Sequence, residues 1–237
     1  MPRGHCCPKE VTLETFGPRC IPGKQKEWSA LGDWWLRHKK GANTPNWDIA
    51  MGCRIEDRPG LVLVEAKAHR NELKTTGKPL DTANANSVAN HKHIGSAIAE
   101  ACAGWQLINK QVTISRDSHY QLANRLAFTW KLAKLGFPVV LLYLGFTGDE
   151  GIKDLGTPFS DDSDWQDAFT QHVKDKIPID LFEKRLELEP SDQVPVWLLS
   201  RSRPVIKVST NSSSPNSPPV QSNQHDPTKG SNPNASV

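Results

Sequence analysis

The sequence has no Cys-x-x-Cys pair, and its five cysteines, Cys6, Cys7, Cys20, Cys53 and Cys102, are spaced irregularly. An odd count without a secretory segment argues against a disulfide framework as the source of the fold. His5, Cys6, Cys7 and Cys20 carry zinc-ligand chemistry, but adjacent cysteines are awkward tetrahedral ligands. The first twenty residues lack an apolar signal core. No apolar run approaches the length of a membrane span. A cytoplasmic chain with reduced thiols and no membrane contact is expected. Also missing are a glycine-rich phosphate loop, a Gly-x-Ser-x-Gly elbow and a His-Glu-x-x-His helix. Their absence removes three common enzyme designs. There is no internal repeat.

Aromatic residues are absent from about Val208 to Val237, where Ser, Asn and Pro dominate. Such a segment cannot bury enough apolar surface to offset the entropy of ordering. The expected organisation is therefore an irregular segment over 1–24, one α/β domain over 25–207, and a disordered tail over 208–237. The net charge of +3 conceals an asymmetry. Residues 1–137 hold 20 Lys and Arg against 12 Asp and Glu, and residues 138–207 hold 8 against 13. A basic first half suits a polyanionic partner, although lysines and arginines also simply solvate surfaces.

Helical spacing of Trp28, Leu31, Trp34, Trp35 and His38 predicts a helix over about 25–39. Residues 47–56 alternate, with Trp47, Ile49, Met51, Cys53 and Ile55 on one face and Asp48, Ala50, Gly52, Arg54 and Glu56 on the other. This pattern predicts a strand with one buried face. Turn residues over 57–60 lead into a second, more apolar strand over 61–68. A long polar connection is expected over 74–90, then a helix over about 90–108. The helix over 119–135 is the most strongly patterned, with Ser118 and Gln121 at capping-box spacing and Gly136 and Pro138 at its end. A buried strand over 138–146, an acidic helix within 161–175 and a late strand over 196–200 complete the pattern. Helix, strand, strand, helix, helix, strand is an α/β order.

The apolar run Leu61–Val64 passes abruptly into Glu65 and Lys67. Residues two apart on a strand leave the same face, so a carboxylate and an ammonium emerge together from a buried strand. Asp48 precedes them on the neighbouring strand. Two carboxylates can suffice for Mg²⁺, which keeps waters and substrate phosphate among its ligands. A lysine beside them can orient water and offset developing charge. The hairpin register decides whether the acids meet. Pairing Glu56 with Leu61 would leave Glu65 about 13 Å along the strand from Asp48. Pairing Cys53 with Gly60 brings Asp48 opposite Glu65.

Asp48 followed by Glu65-Ala66-Lys67 at the end of an apolar strand resembles the PD-(D/E)xK nuclease superfamily, as a divergent member. The preceding helix and the later helix and strand are similar in order to that family's core over about 25–146. The resemblance implies a restriction-endonuclease-like core, with a mixed central sheet flanked by helices and the helix over 90–108 as an insertion. It implies Asp48, Glu65 and the Ala66 carbonyl as ligands of Mg²⁺, or of Mn²⁺. It implies Lys67 as the residue serving the attacking water, and DNA as the partner cut. Oligomeric state stays open, a homodimer included.

Supporting residues have two readings each. Glu27 could join the metal shell, or simply favour its helix N-terminus. Gln121 could approach the metal, or cap its helix with Ser118. Arg125 and Lys131 could contact phosphate, or be solvated. His69, His91 and His93 could ligate a transition metal, although lone histidines seldom do. Trp28, Trp34, Trp35 and Trp47 could stack on bases, but their spacing favours the core. A non-catalytic nucleic-acid-binding or assembly module on the same fold is the alternative function. An acid–base enzyme acting on a small substrate is a third.

Overall fold

The computed structural model of the chain describes residues 11–40, 42–188 and 193–206. The expected tail over 208–237, and His5, Cys6 and Cys7, lie outside the described residues. The chain divides into a compact unit ending at Val205 and a second unit, Ile206–Val237, of which only Ile206 is described.

Strand β1, Val11–Thr12, runs directly into helix α1, Leu13–Cys20. This corrects the irregular lead-in expected from the prolines and glycines of residues 1–24. Pro18 lies inside α1, so propensity alone disfavours the helix. Burial overrides it: Leu13 is fully buried, and Gly17 lies so close to Trp28 that an added Cβ would fall 2.6 Å from the indole. Helix α2 spans Gln25–Trp35 and stops at Leu36, whose backbone is extended.

Strand β2, Asn46–Trp47, pairs antiparallel with β1, and the chain bends at Asp48. Strand β3, Ile49–Ile55, and strand β4, Arg58–Lys67, form an antiparallel hairpin. Glu56 and Asp57 make its turn with φ of 47° and 61°. Two consecutive positive-φ residues give the tight turn whose twist suits flanking strands. The pairing runs to Ile55 opposite Arg58, so Arg58, Pro59 and Gly60 are strand residues rather than the expected turn.

Helix α3, Ala85–Gln106, starts earlier than its apolar pattern suggested, because the Asn84 side chain accepts the Asn86 and Ser87 N–H groups at 2.9 and 3.3 Å. The expected loop over 74–90 is correspondingly shorter. Helix α4 spans Tyr120–Lys134. Its N-cap is His119, at φ 47°, with no side-chain cap bond, so the expected Ser118–Gln121 capping box is not formed. The Thr75 and Thr76 carbonyls take the His119 and Tyr120 N–H groups instead. Strand β5 (Val139–Thr147), helix α5 (Asp162–Val173), strand β6 (Arg185–Glu187) and strand β7 (Pro195–Pro204) follow.

The main sheet has the order β3-β4-β5-β7-β6. Strands β4, β5 and β7 are parallel, and the edge strands β3 and β6 run antiparallel to their neighbours. The protein is thus α/β with a mixed sheet. One sheet face carries Leu61, Leu63, Leu141, Tyr143, Val196 and Leu198, all essentially inaccessible to solvent. Helices cover this face. Arg125 of α4 reaches Glu65, Trp165 of α5 donates to Ser200 at 3.0 Å, and Cys20 of α1 lies over Gly52. Trp28 stacks on Phe137 at 4.5 Å, and Trp35 meets Phe128 edge-on at 4.8 Å, so those tryptophans serve the core.

The opposite face holds Val62, Leu142, Leu144, Phe146 and Leu199, all partly buried. By register, Ile49 and Met51 share this side, and they are exposed. The apolar set of β3 was expected to face the core. The bend at Asp48 separates Trp47, which is fully buried, from Ile49 and Met51. The helices pack on the Ala50 and Gly52 side instead, where α1 needs small residues.

Candidate functional site

The hairpin register pairs Cys53 with Gly60 and Ile49 with Val64. Continued by one residue, it sets Asp48 level with Glu65. Because the chain bends at Asp48, the backbone ladder ends there and the side chain takes over. Asp48 Oδ2 accepts the Ala66 N–H at 2.7 Å. Asp48 is exposed as a residue, with Oδ2 turned to the Ala66 backbone. Burial of that carboxylate and the neighbouring Glu65 charge push its pKa up, against the Ala66 hydrogen bond and the charges of Lys67 and Arg125.

Glu65 is almost fully buried, at 1 % exposure, and Lys67 and Arg125 are 5 % exposed. Lys67 donates to Glu65 Oε1, and Arg125 Nε donates to Oε2 at 2.6 Å. Arg125 is itself fixed from every side. It donates to the Asn46 carbonyl at 2.7 Å and to Asn124 Oδ1 at 2.9 Å, and its guanidinium lies 4.4 Å from the Trp47 ring. Tyr143 is paired opposite Glu65 in β5, and its buried hydroxyl has no partner among the described residues. Burial, and then the Glu65 charge, raise the Tyr143 pKa far above the ordinary value.

A cavity of about 160 Å³ opens over this cluster, lined by Asp48, Glu65, Ala66, Lys67, Gln121 and Arg125, with Glu72 and Lys74 at its side. The N–H and C=O of one strand residue leave on the same side. The Ala66 carbonyl therefore points towards the edge from which Asp48 approaches. Two carboxylates and a peptide oxygen form a hard-oxygen donor set that suits Mg²⁺. Among the described residues, no group of three or more His, Cys, Asp or Glu side chains is arranged to hold a metal, so the protein's share of such a shell is small.

The other expected residues divide. Gln121 lines the cavity, which the failed capping box leaves as its position of interest. Glu27 pairs with Lys24 at 3.1 Å and does not line the cavity. Lys131 pairs with Glu100 at 3.4 Å and lies 5.0 Å from the Trp34 ring. It too is outside the cavity. His91 and His93 bind the peptide oxygens of Lys78 and Asp33 at 3.1 and 3.2 Å. His69 caps a short 3-10 turn, Arg70–Glu72. Three residues carry more than the sequence suggested. Arg125 binds Glu65 directly, and its only signal was a cation one helical turn after Gln121 in an apolar helix. Glu72 and Lys74 had no signal, since they reach the cavity from the 3-10 turn after β4 and the loop that follows it.

Scans against family models, curated proteins and solved structures return no significant match. The site therefore rests on the chain's own geometry.

Proposed function

We propose that the protein is a metal-dependent nuclease of the PD-(D/E)xK kind, on a restriction-endonuclease-like core, cutting phosphodiester bonds in DNA. The observation that carries this reading is the convergence of Asp48, Glu65 and Lys67 on one cavity, through the Cys53–Gly60 register and the Asp48–Ala66 hydrogen bond. Asp48, Glu65 and the Ala66 carbonyl would hold Mg²⁺ or Mn²⁺. When bound, such a cation polarises a phosphoryl oxygen and lowers the pKa of coordinated water. Lys67 holds a water for attack and offsets charge as it develops. Arg125 keeps the Glu65 carboxylate oriented. Gln121 and Lys74 offer donors to substrate oxygens at the cavity wall.

One observation favours a second reading. Both Glu65 oxygens are already engaged by cations, Lys67 and Arg125. A closed ion triad could serve stability alone, on a non-catalytic nucleic-acid-binding module. The two readings separate in one assay. A nuclease cuts labelled DNA with Mg²⁺ or Mn²⁺, stops with EDTA, and loses cutting in Lys67→Met while circular dichroism stays native. Binding without metal-dependent cutting supports the module.

A further inference from the structure

Beside the acidic cavity lies a larger groove of about 760 Å³, which shares Lys74, Gln121 and Arg125 with it. Its walls come from the segment after α2, the loop between β4 and α3, the start of α3 and the start of α4. No Asp or Glu lines it, whereas Lys40, Lys74, Lys78 and Arg125 do. Arg125 is neutralised by Glu65, but Lys40, Lys74 and Lys78 form no salt bridge among the described residues. Elsewhere cations such as Lys39, Arg70 and Arg185 sit against acids. Three unpaired lysines facing a common space repel one another, and an anion there relieves that cost.

The rest of the lining is also suited to a polynucleotide. Seven amide side chains line it; Asn84, Asn90 and Asn124 already bond within the protein, and Asn43, Asn46, Asn86 and Gln121 add polar groups to the wall. Tyr120 offers an aromatic ring, with Lys78 Nζ 5.0 Å from its centre. A basic groove that tracks the backbone is one part of how proteins follow single strands. A space of about 760 Å³ is of the size that encloses a small ligand, and so matches a few nucleotides of one strand.

We infer that this groove seats single-stranded polynucleotide and delivers its backbone to the cavity of Asp48 and Glu65. The inference rests on the nuclease reading for its direction, yet binding is tested apart from cutting. Anisotropy of a fluorescent oligodeoxynucleotide, with its oligoribonucleotide and duplex forms as parallel probes, is measured in EDTA with the full chain. The single strand is expected to bind at least tenfold more tightly than the duplex. Lys40→Glu and Lys78→Met are expected to weaken it severalfold and to flatten its salt dependence. Lys110→Glu, outside the groove, is the charge control. Equal losses from Lys110→Glu and Lys40→Glu, or tighter binding of the duplex, overturn the proposal. Tight, groove-dependent binding without Mg²⁺-dependent cutting keeps the groove and removes the nuclease. Cutting of duplex that is indifferent to the groove variants does the reverse. The DNA and RNA arms show whether the sugar is read.

Discussion

Cys53 is paired with Gly60, and this one register sets the level at which Asp48 meets Glu65. A one-step slip would turn β3 over and carry the Asp48 side chain to the wrong side of the sheet. The Glu56–Asp57 turn fixes the register, so a backbone detail at one end of the hairpin controls the site at the other. Asp57 holds φ of 61°, a conformation that costs non-glycine residues. Asp57→Gly is expected to raise stability by about 0.5 kcal/mol, the relief of that cost less glycine's extra chain entropy. Urea unfolding checks this.

Arg125 and Glu65 form a buried pair. Removing one partner of a buried pair costs about 3–5 kcal/mol when the other is left alone. Lys67 remains beside Glu65, so Arg125→Met is expected to cost less, about 2–3 kcal/mol. A double-mutant cycle with Glu65→Gln should recover part of this loss. A cost below about 0.5 kcal/mol for Arg125→Met would mean the pair contributes little to the fold.

His172 gives the stability a pH dependence. Burial, then His119 with its ring 5.2 Å away, and then Lys67 hold the His172 pKa down at about 4. The folded pKa lies below the unfolded value of about 6.5. The neutral ring's contribution is therefore fully present above about pH 6.5 and is lost as pH falls towards 4. The loss is on the order of 2–3 kcal/mol. Denaturation series between pH 4 and 8 should show it, and His172→Leu should flatten the curve.

Gly104 of α3 lies against Trp130 of α4. A Cβ there would stand 1.9 Å from the indole nitrogen. Gly104→Ala is expected to lower stability by about 1–3 kcal/mol, despite alanine's better helix propensity. Thermal unfolding that rises instead would show that the two helices can move apart freely.

The sequence makes the long elements legible because their periodicity survives packing. The register could be posed as two alternatives but not chosen, since both keep Asp48 and Glu65 on one face. What selects it is the pair of positive-φ residues at Glu56 and Asp57, of which Asp57 suits such a turn but Glu56 does not announce one. Helix α1 was hidden by Pro18 and Gly17, yet Gly17 is where Trp28 packs. The exposed Ile49 and Met51 were misread because alternation says which residues share a face, not which face is covered. Gln121 and Ser118 matched a cap by spacing, and His119 took the cap position through backbone bonds to Thr75 and Thr76. Arg125 looked like a surface cation until its partner, sixty residues earlier, was fixed by the fold.

The most direct measurement uses Asp48→Asn. The amide oxygen can still accept the Ala66 N–H, so the fold and hairpin should persist, while the negative charge a metal needs is gone. Labelled single- and double-stranded DNA is incubated with wild type and variant, with Mg²⁺ or with EDTA, and cleavage is followed on gels. Wild type is expected to cut with Mg²⁺ alone, and Asp48→Asn to fall at least a hundredfold with native circular dichroism. Absence of Mg²⁺- or Mn²⁺-dependent cutting by folded wild type, or equal cutting by the variant, would contradict the assignment of Asp48 and Glu65 as a metal site.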